Sequence, residues 1–160
     1  VTQFIINGSS LTVVLFTSDG HCDRGYLLYK DSCYHFETEQ VKNWQDAEAD
    51  CVKENLGAEL VSIHSMKEQS WVESYLYLAT SDVWTGLNDL GLPGMFMWSN
   101  EHIVTFTYWA PGEPNNHDGF SEDCVEMLHQ TGRWNDVSCT DSLMFSTGQP
   151  RVNNTEVNFY

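Results

Sequence analysis

EPNNHDGFSEDCVEMLHQTGRWNDV, residues 113–137, is the stretch whose reading decides the fold. It opens with Glu113-Pro114-Asn115, passes through Glu122-Asp123-Cys124 and reaches Trp134-Asn135-Asp136 before its last residue. At these points the polar side chains are carboxylates and amides, which are hard oxygen donors. Calcium takes about six to eight oxygens, so such a mixture suits it better than zinc or copper. Any one of these Asn or Asp residues alone reads as an ordinary turn former; the grouping is what points to a cation. Within the stretch, Val125-Glu126-Met127-Leu128 and Gly132-Arg133-Trp134 read as strands around a tight turn at Gln130-Thr131-Gly132. A bridge between Cys124 and Cys139 would clip the two strands together.

Working outward, Val83-Trp84-Thr85-Gly86-Leu87 reads as a buried strand. A long Gly-, Pro-, Asn- and Asp-rich segment then runs to about Asp123 with too few periodic apolar residues for a helix. Loops of this length in a compact domain are as a rule functional. Further upstream, Ser65-Met66-Lys67-Glu68 is a capping box, and Val72, Tyr75, Leu76 and Ala79 supply the apolar face of a helix expected to end near Thr80. Asn43 caps an earlier helix in which Trp44, Ala47, Cys51 and Leu56 recur at helical spacing, with Gly57 available to end it. Gly25 to Phe36 reads as a hairpin across Lys30-Asp31-Ser32, which Cys22 and Cys33 can staple. Two helices and a small, mainly antiparallel sheet with a long loop make an α+β domain.

Composition limits the partners. The chain has 160 residues, 41% hydrophobic, enough for one core. Twenty-three acidic against seven basic residues give a formal charge of −16, which repels nucleic acid and favours cations or neutral ligands. Five cysteines with no zinc-type spacing favour a disulfide framework over a thiolate metal site. With the sequons Asn7-Gly8-Ser9 and Asn153-Asn154-Thr155, they point to an extracellular protein, secreted or the ectodomain of a receptor. The apolar run Leu11 to Phe16 is too short to cross a bilayer, so no direct membrane insertion by this chain is expected. No Gly-x-Ser-x-Gly, His-Glu-x-x-His or phosphate loop is present, and the acidic cluster suits cation coordination better than acid–base work, so an enzyme is not expected. The six tryptophans read as core rather than as a sugar-stacking platform.

From Cys22 to about Phe145 these pieces resemble the C-type lectin domain family. The resemblance rests on Gly25-Tyr26, Cys33-Tyr34, Cys51, Leu60-Val61-Ser62-Ile63-His64-Ser65, Trp84-Thr85-Gly86-Leu87, Trp98-Ser99, Glu113-Pro114-Asn115 and Trp134-Asn135-Asp136. It is most similar to one of the tandem domains of the mannose receptor family. The resemblance implies a C-type-lectin-like α+β fold over residues 22–145, preceded by a linker or extension (1–21) and followed by an atypical tail (146–160). It implies Glu113, Asn115, Glu122, Asn135 and Asp136 as ligands of a principal calcium, with a cis peptide bond before Pro114, which proline makes accessible. Glu-Pro-Asn is the family's mannose-type tripeptide. The same five residues would contact two vicinal hydroxyls of a mannose-, fucose- or N-acetylglucosamine-type sugar, with His117 and Val137 against the ring. For His117 the alternative is a solvated loop histidine. An auxiliary metal site would use Asp89, Asn116, Glu122 and Asp123; with Pro93 and Asn116 at positions the family often fills with acids, that site is expected weak or empty. The implied role is a recognition domain of an endocytic or secreted receptor for glycans or glycoproteins, the alternative being a protein-interaction module of the same fold without sugar binding.

The chain departs from the family near its end. The expected last cysteine after Met144-Phe145 is absent, Ser146 and Thr147 following instead, so Cys51 stands outside the disulfides expected for Cys22, Cys33, Cys124 and Cys139. A bridge closing so long a loop would contribute about 4–5 kcal/mol. The expectation is a domain with an altered end that leans on calcium for part of its stability.

Overall fold

The structure, a computed structural model, describes residues 2–7, 10–15, 22, 24–54, 58–116, 121–141 and 143–150. Strands β1 (Thr2–Asn7) and β2 (Ser10–Leu15) form a separate antiparallel pair inside the segment read as a linker. Strands β3 (Leu27–Tyr29) and β4 (Ser32–Lys42) make the expected hairpin, turning at Lys30 with φ 52°, and a disulfide joins Cys22 to Cys33.

Helix α1 (Trp44–Glu54) starts where Asn43 Oδ1 accepts the Asp46 N–H at 2.9 Å, the capping bond its sequence predicts. Leu56 and Gly57 lie outside the described residues. After β5 (Glu59–Leu60), helix α2 (Met66–Glu73) is capped by Ser65 Oγ, which accepts the Glu68 N–H at 3.3 Å. The Glu68 carboxylate reaches back to the His64 N–H at 2.9 Å and also takes the Tyr34 hydroxyl at 2.5 Å. The α-helix ends at Glu73, not near Thr80. Ser74 Oγ donates to the Trp71 carbonyl at 2.6 Å and the Tyr75 N–H turns to the Val72 carbonyl, so the chain tightens into a 3-10 turn at Leu76–Leu78.

Next come β6 (Val83–Asn88), β7 (Met97–Trp98), β8 (Cys124–Met127), β9 (Trp134–Val137) and β10 (Leu143–Pro150). Gly132 and Arg133 belong to the β8–β9 turn rather than to a strand, Gly132 adopting φ 68° with its N–H on the Leu128 carbonyl. Among the described residues one sheet runs β3-β4-β10-β6-β8-β9, with β5 on β10 and β7 on β6. Among the described strand pairs, only β10 against β6 is parallel. The strand β10 continues through Ser146 to Pro150, beyond the boundary expected after Phe145.

Buried apolar side chains gather in two clusters. One, with Trp98, Trp134, Leu87, Val72 and Met127, lies between α2 and the site end of the sheet. The other packs α1 against β10 through Trp44, Ala47, Cys51, Leu60, Trp84 and Phe145. Each fully buried large apolar side chain contributes about 1.5–3 kcal/mol. Tryptophan N–H groups tie the layers: Trp44 to the Thr85 carbonyl and Trp84 to the Lys42 carbonyl, both at 2.8 Å, and Trp134 to Gln69 Oε1 at 2.9 Å. Trp71 and Trp109 are half-buried against the first cluster, so all six serve packing. Gly86 is required by close approach, since a Cβ there would stand 2.9 Å from the Leu60 carbonyl oxygen.

Candidate functional site

Strands β8 and β9 form the platform, with Glu126 paired to Asn135 and Val125 to Asp136 across the ladder. The Cys124–Cys139 disulfide clips its far end. The outer edge of β9 is covered by the loop before the site: Trp134 N–H donates to the Tyr108 carbonyl at 2.9 Å, and Ala110 N–H to the Trp134 carbonyl at 2.7 Å. Arg133 reinforces this cover, its guanidinium lying 4.5 Å from the Tyr108 ring centroid and donating to the Trp109 carbonyl at 3.0 Å.

From that cover the chain turns through Gly112, at φ 97°, into a cis Glu113–Pro114 peptide bond. Asp136, 1% exposed, holds the turn down: its two carboxylate oxygens accept the backbone N–H groups of Asn115 at 3.0 Å and Asn116 at 2.8 Å. Asn115 Nδ2 donates to Glu113 Oε1 at 2.9 Å. The other Glu113 oxygen, Oε2, is buried with no hydrogen-bond partner. Burial raises the Glu113 pKa above the ordinary carboxylate range, helped by the nearby Asp136 carboxyl and its charge and by the charge of Glu122; only the Asn115 amide opposes.

Asn135, half-buried, donates Nδ2 to Glu126 Oε1 at 3.0 Å. Glu126 is 7% exposed, and its carboxyl is pushed up to about 7, first by burial and then by the charges of Asp82, Asp141 and Glu122, with the Asn135 bond opposing. Val137 follows on β9, half-buried. His117 lies outside the described residues.

The structure thus gathers Glu113, Asn115 and Asp136 by direct bonds, brings Glu122 within electrostatic reach, and sets Asn135 beside Asp136 on β9. Their fit to a hard cation rests on the orphaned Glu113 oxygen and on the neighbouring charges that raise the cost of ionising Glu113. Among the described residues, no three His, Cys, Asp or Glu side chains converge as a metal cage by themselves; an oxygen set here would have to draw on the Asn115 and Asn135 amides as well. Of the auxiliary residues, the buried Asp89 takes the Gly94 N–H at 2.6 Å through Oδ2, while Oδ1 has no partner. Asp123 accepts from the Ser121 hydroxyl, and Asn116 Oδ1 accepts the Glu122 N–H at 3.3 Å. Pro93 is exposed.

Sequence reading did not anticipate two features: that the Asp136 side chain clamps the Glu-Pro-Asn turn, and that Glu126 meets Asn135. The second had only a partial signal, because counting back from Gln130-Thr131-Gly132 pairs residue 126 with 136, one position off its observed partner Asn135.

Two helices on a mainly antiparallel sheet whose platform carries a carboxylate- and amide-lined cis-proline turn fit the C-type lectin domain. The chain belongs to that family: the Lectin C-type domain matches residues 40–145. It is 38% identical over 122 residues to C-type mannose receptor 2 of Mus musculus, the match covering 76% of this chain and 8% of the receptor. The chain therefore spans only a small part of that relative's length. Among solved structures it is similar to the cow carbohydrate-recognition domain of CD23 in the presence of a GlcNAc2Man3 oligosaccharide (34% identity, 83% of this chain, 98% of that one, TM-score 0.73). It is also similar to a calcium-independent type II antifreeze protein (27% identity, 86% and 100% covered, TM-score 0.75). Its relatives are lectin-type domains, which supports a recognition role rather than an enzymatic one. Among the described residues no helix is long and apolar enough to cross a membrane.

Proposed function

We propose that this domain binds glycans of the mannose, fucose or N-acetylglucosamine type through a calcium ion held by Glu113, Asn115, Glu122, Asn135 and Asp136, as an extracellular recognition domain of an endocytic or secreted receptor. The observation that carries the reading is the buried, unpartnered Glu113 oxygen in a turn clamped to Asp136. A cation there would neutralise the repulsion that raises the Glu113 pKa and would offer open coordination positions to two sugar hydroxyls. The Asn amides are hydrogen-bond donors and the Glu oxygens acceptors, so an adjacent hydroxyl pair meets one of each. Val137, at the end of β9, and His117 are proposed as contacts for the ring.

The calcium-independent antifreeze relative favours a second reading, a protein- or surface-binding module without sugar. Calorimetric titration of mannose, with calcium and with chelator, against galactose as control, separates the two. The expected result is heat for mannose only when calcium is present. No heat from folded, calcium-supplied protein would refute sugar binding.

A further inference from the structure

We propose that Glu126 is a positioning residue for this site, fixing which way the Asn135 carboxamide faces. The proposal rests on the calcium reading above. Glu126 and Asn135 are direct partners in the β8–β9 ladder, and opposite residues of an antiparallel pair project on one face. Their side chains meet as Nδ2 to Oε1 at 3.0 Å. Once ionised, the Glu126 carboxylate is an acceptor only, so of the two amide orientations just one is then compatible: Nδ2 toward Glu126, as the structure has it, leaving Oδ1 as the oxygen available to a cation. The flipped amide would set two acceptors against each other.

All four residues of β8 are buried, and burying an acidic side chain in a strand is costly where an aliphatic one would pack. Cys124, Val125 and Met127 are apolar and only Glu126 is acidic. Its partner is a candidate ligand, and groups that orient ligands act on affinity without touching the ion.

The test uses the whole domain as wild type, Glu126→Gln and Glu126→Leu. Calcium affinity is measured by calorimetry in chelator-cleared buffer. Hydrogen exchange of the Asn135 side-chain amide is followed by NMR in metal-free protein. Glu126→Leu is expected to weaken calcium binding about 10- to 100-fold. Glu126→Gln, whose Oε1 can still accept from Nδ2, is expected to stay close to wild type, a rescue that simple loss of packing would not predict. In metal-free wild type and Glu126→Gln the Asn135 amide should exchange slowly. Equal calcium affinity in wild type and folded Glu126→Leu overturns the proposal alone. No calcium binding by wild type overturns the calcium reading and the proposal with it. Should Glu126→Leu fail to fold, wild type decides: exchange of the Asn135 amide as fast as that of an exposed asparagine overturns the proposal.

Discussion

Two regions of the molecule are built on opposite principles. Where α1 packs on β10, the interior is apolar: Trp44, Ala47, Cys51, Leu60, Trp84 and Phe145 close around one another, and the Cys51 thiol, outside both disulfides, is fully buried among them. By contrast, β8 and β9 bury Glu126 and Asp136, the latter beside Glu113, and neighbouring charges help raise the pKa values of Glu113 and Glu126. The first region gains stability from every contact. The second holds like charges together through bonds to backbone N–H groups and asparagine side-chain amides. A fold that needed only stability would not keep both, so the strain at the β8–β9 end points to a function there.

The sharpest way to break the contrast is to remove the clamp. Asp136→Ala deletes the acceptor of two backbone N–H groups, and bonds to a charged group are each worth about 1.5–3 kcal/mol. Relief of repulsion with Glu113 offsets part of this, so the expected loss is about 2 kcal/mol by urea unfolding in chelator, together with loss of calcium-dependent sugar binding. Unchanged stability would mean that the turn holds itself.

A smaller effect should follow from pH. In metal-free protein, Glu126 and Glu113 bind protons more tightly folded than unfolded, so their contribution to stability falls as pH rises from the ordinary carboxylate range through their raised values. With Glu126 near 7, acidification from pH 8 to 6 should add about 1 kcal/mol of stability in chelator, and Glu126→Gln should flatten that slope. Below its ordinary value, near 6.5, His64 acts the other way: burial lowers its folded pKa, so further acid favours the unfolded chain. With calcium bound, protons compete with the ion and acid should destabilise throughout. A chelated domain most stable at alkaline pH would contradict this electrostatic account.

The least effect, of opposite sign, is expected in the apolar region. Ser146 is fully buried and its hydroxyl has no hydrogen-bond partner. Ser146→Ala removes that orphan and should stabilise the domain by somewhat under about 1 kcal/mol, read from the denaturation midpoint. Destabilisation instead would mean that the hydroxyl has a partner in solution.

How much of this could be read in advance depended on whether the signal was local. The Glu-Pro-Asn and Trp-Asn-Asp tripeptides, the Asn43 and Ser65 caps and the buried Val83–Leu87 strand were legible because spacing and turn chemistry encode them. The end of α2 was not, because Ser74 had an alternative for its hydroxyl that apolar periodicity does not record. Gln69 was also passed over: on an otherwise polar turn nothing marks it as fully buried, yet its amide joins the Gly132 carbonyl at 2.7 Å to the Trp134 N–H. The double duty of Asp136 was out of reach for the same reason, since its partners lie about twenty positions away in the chain.

The cover over β9 has a consequence for life among other proteins. A sheet edge with open N–H and C=O groups is a template on which foreign strands add and aggregates grow. Here the Tyr108–Ala110 segment already occupies the backbone groups of Trp134, at the edge nearest the charged loop. Residues that lead the chain into the Glu113-Pro114-Asn115 turn therefore also shield the sheet, so loosening that segment would expose the domain to self-association as well as disturb the turn.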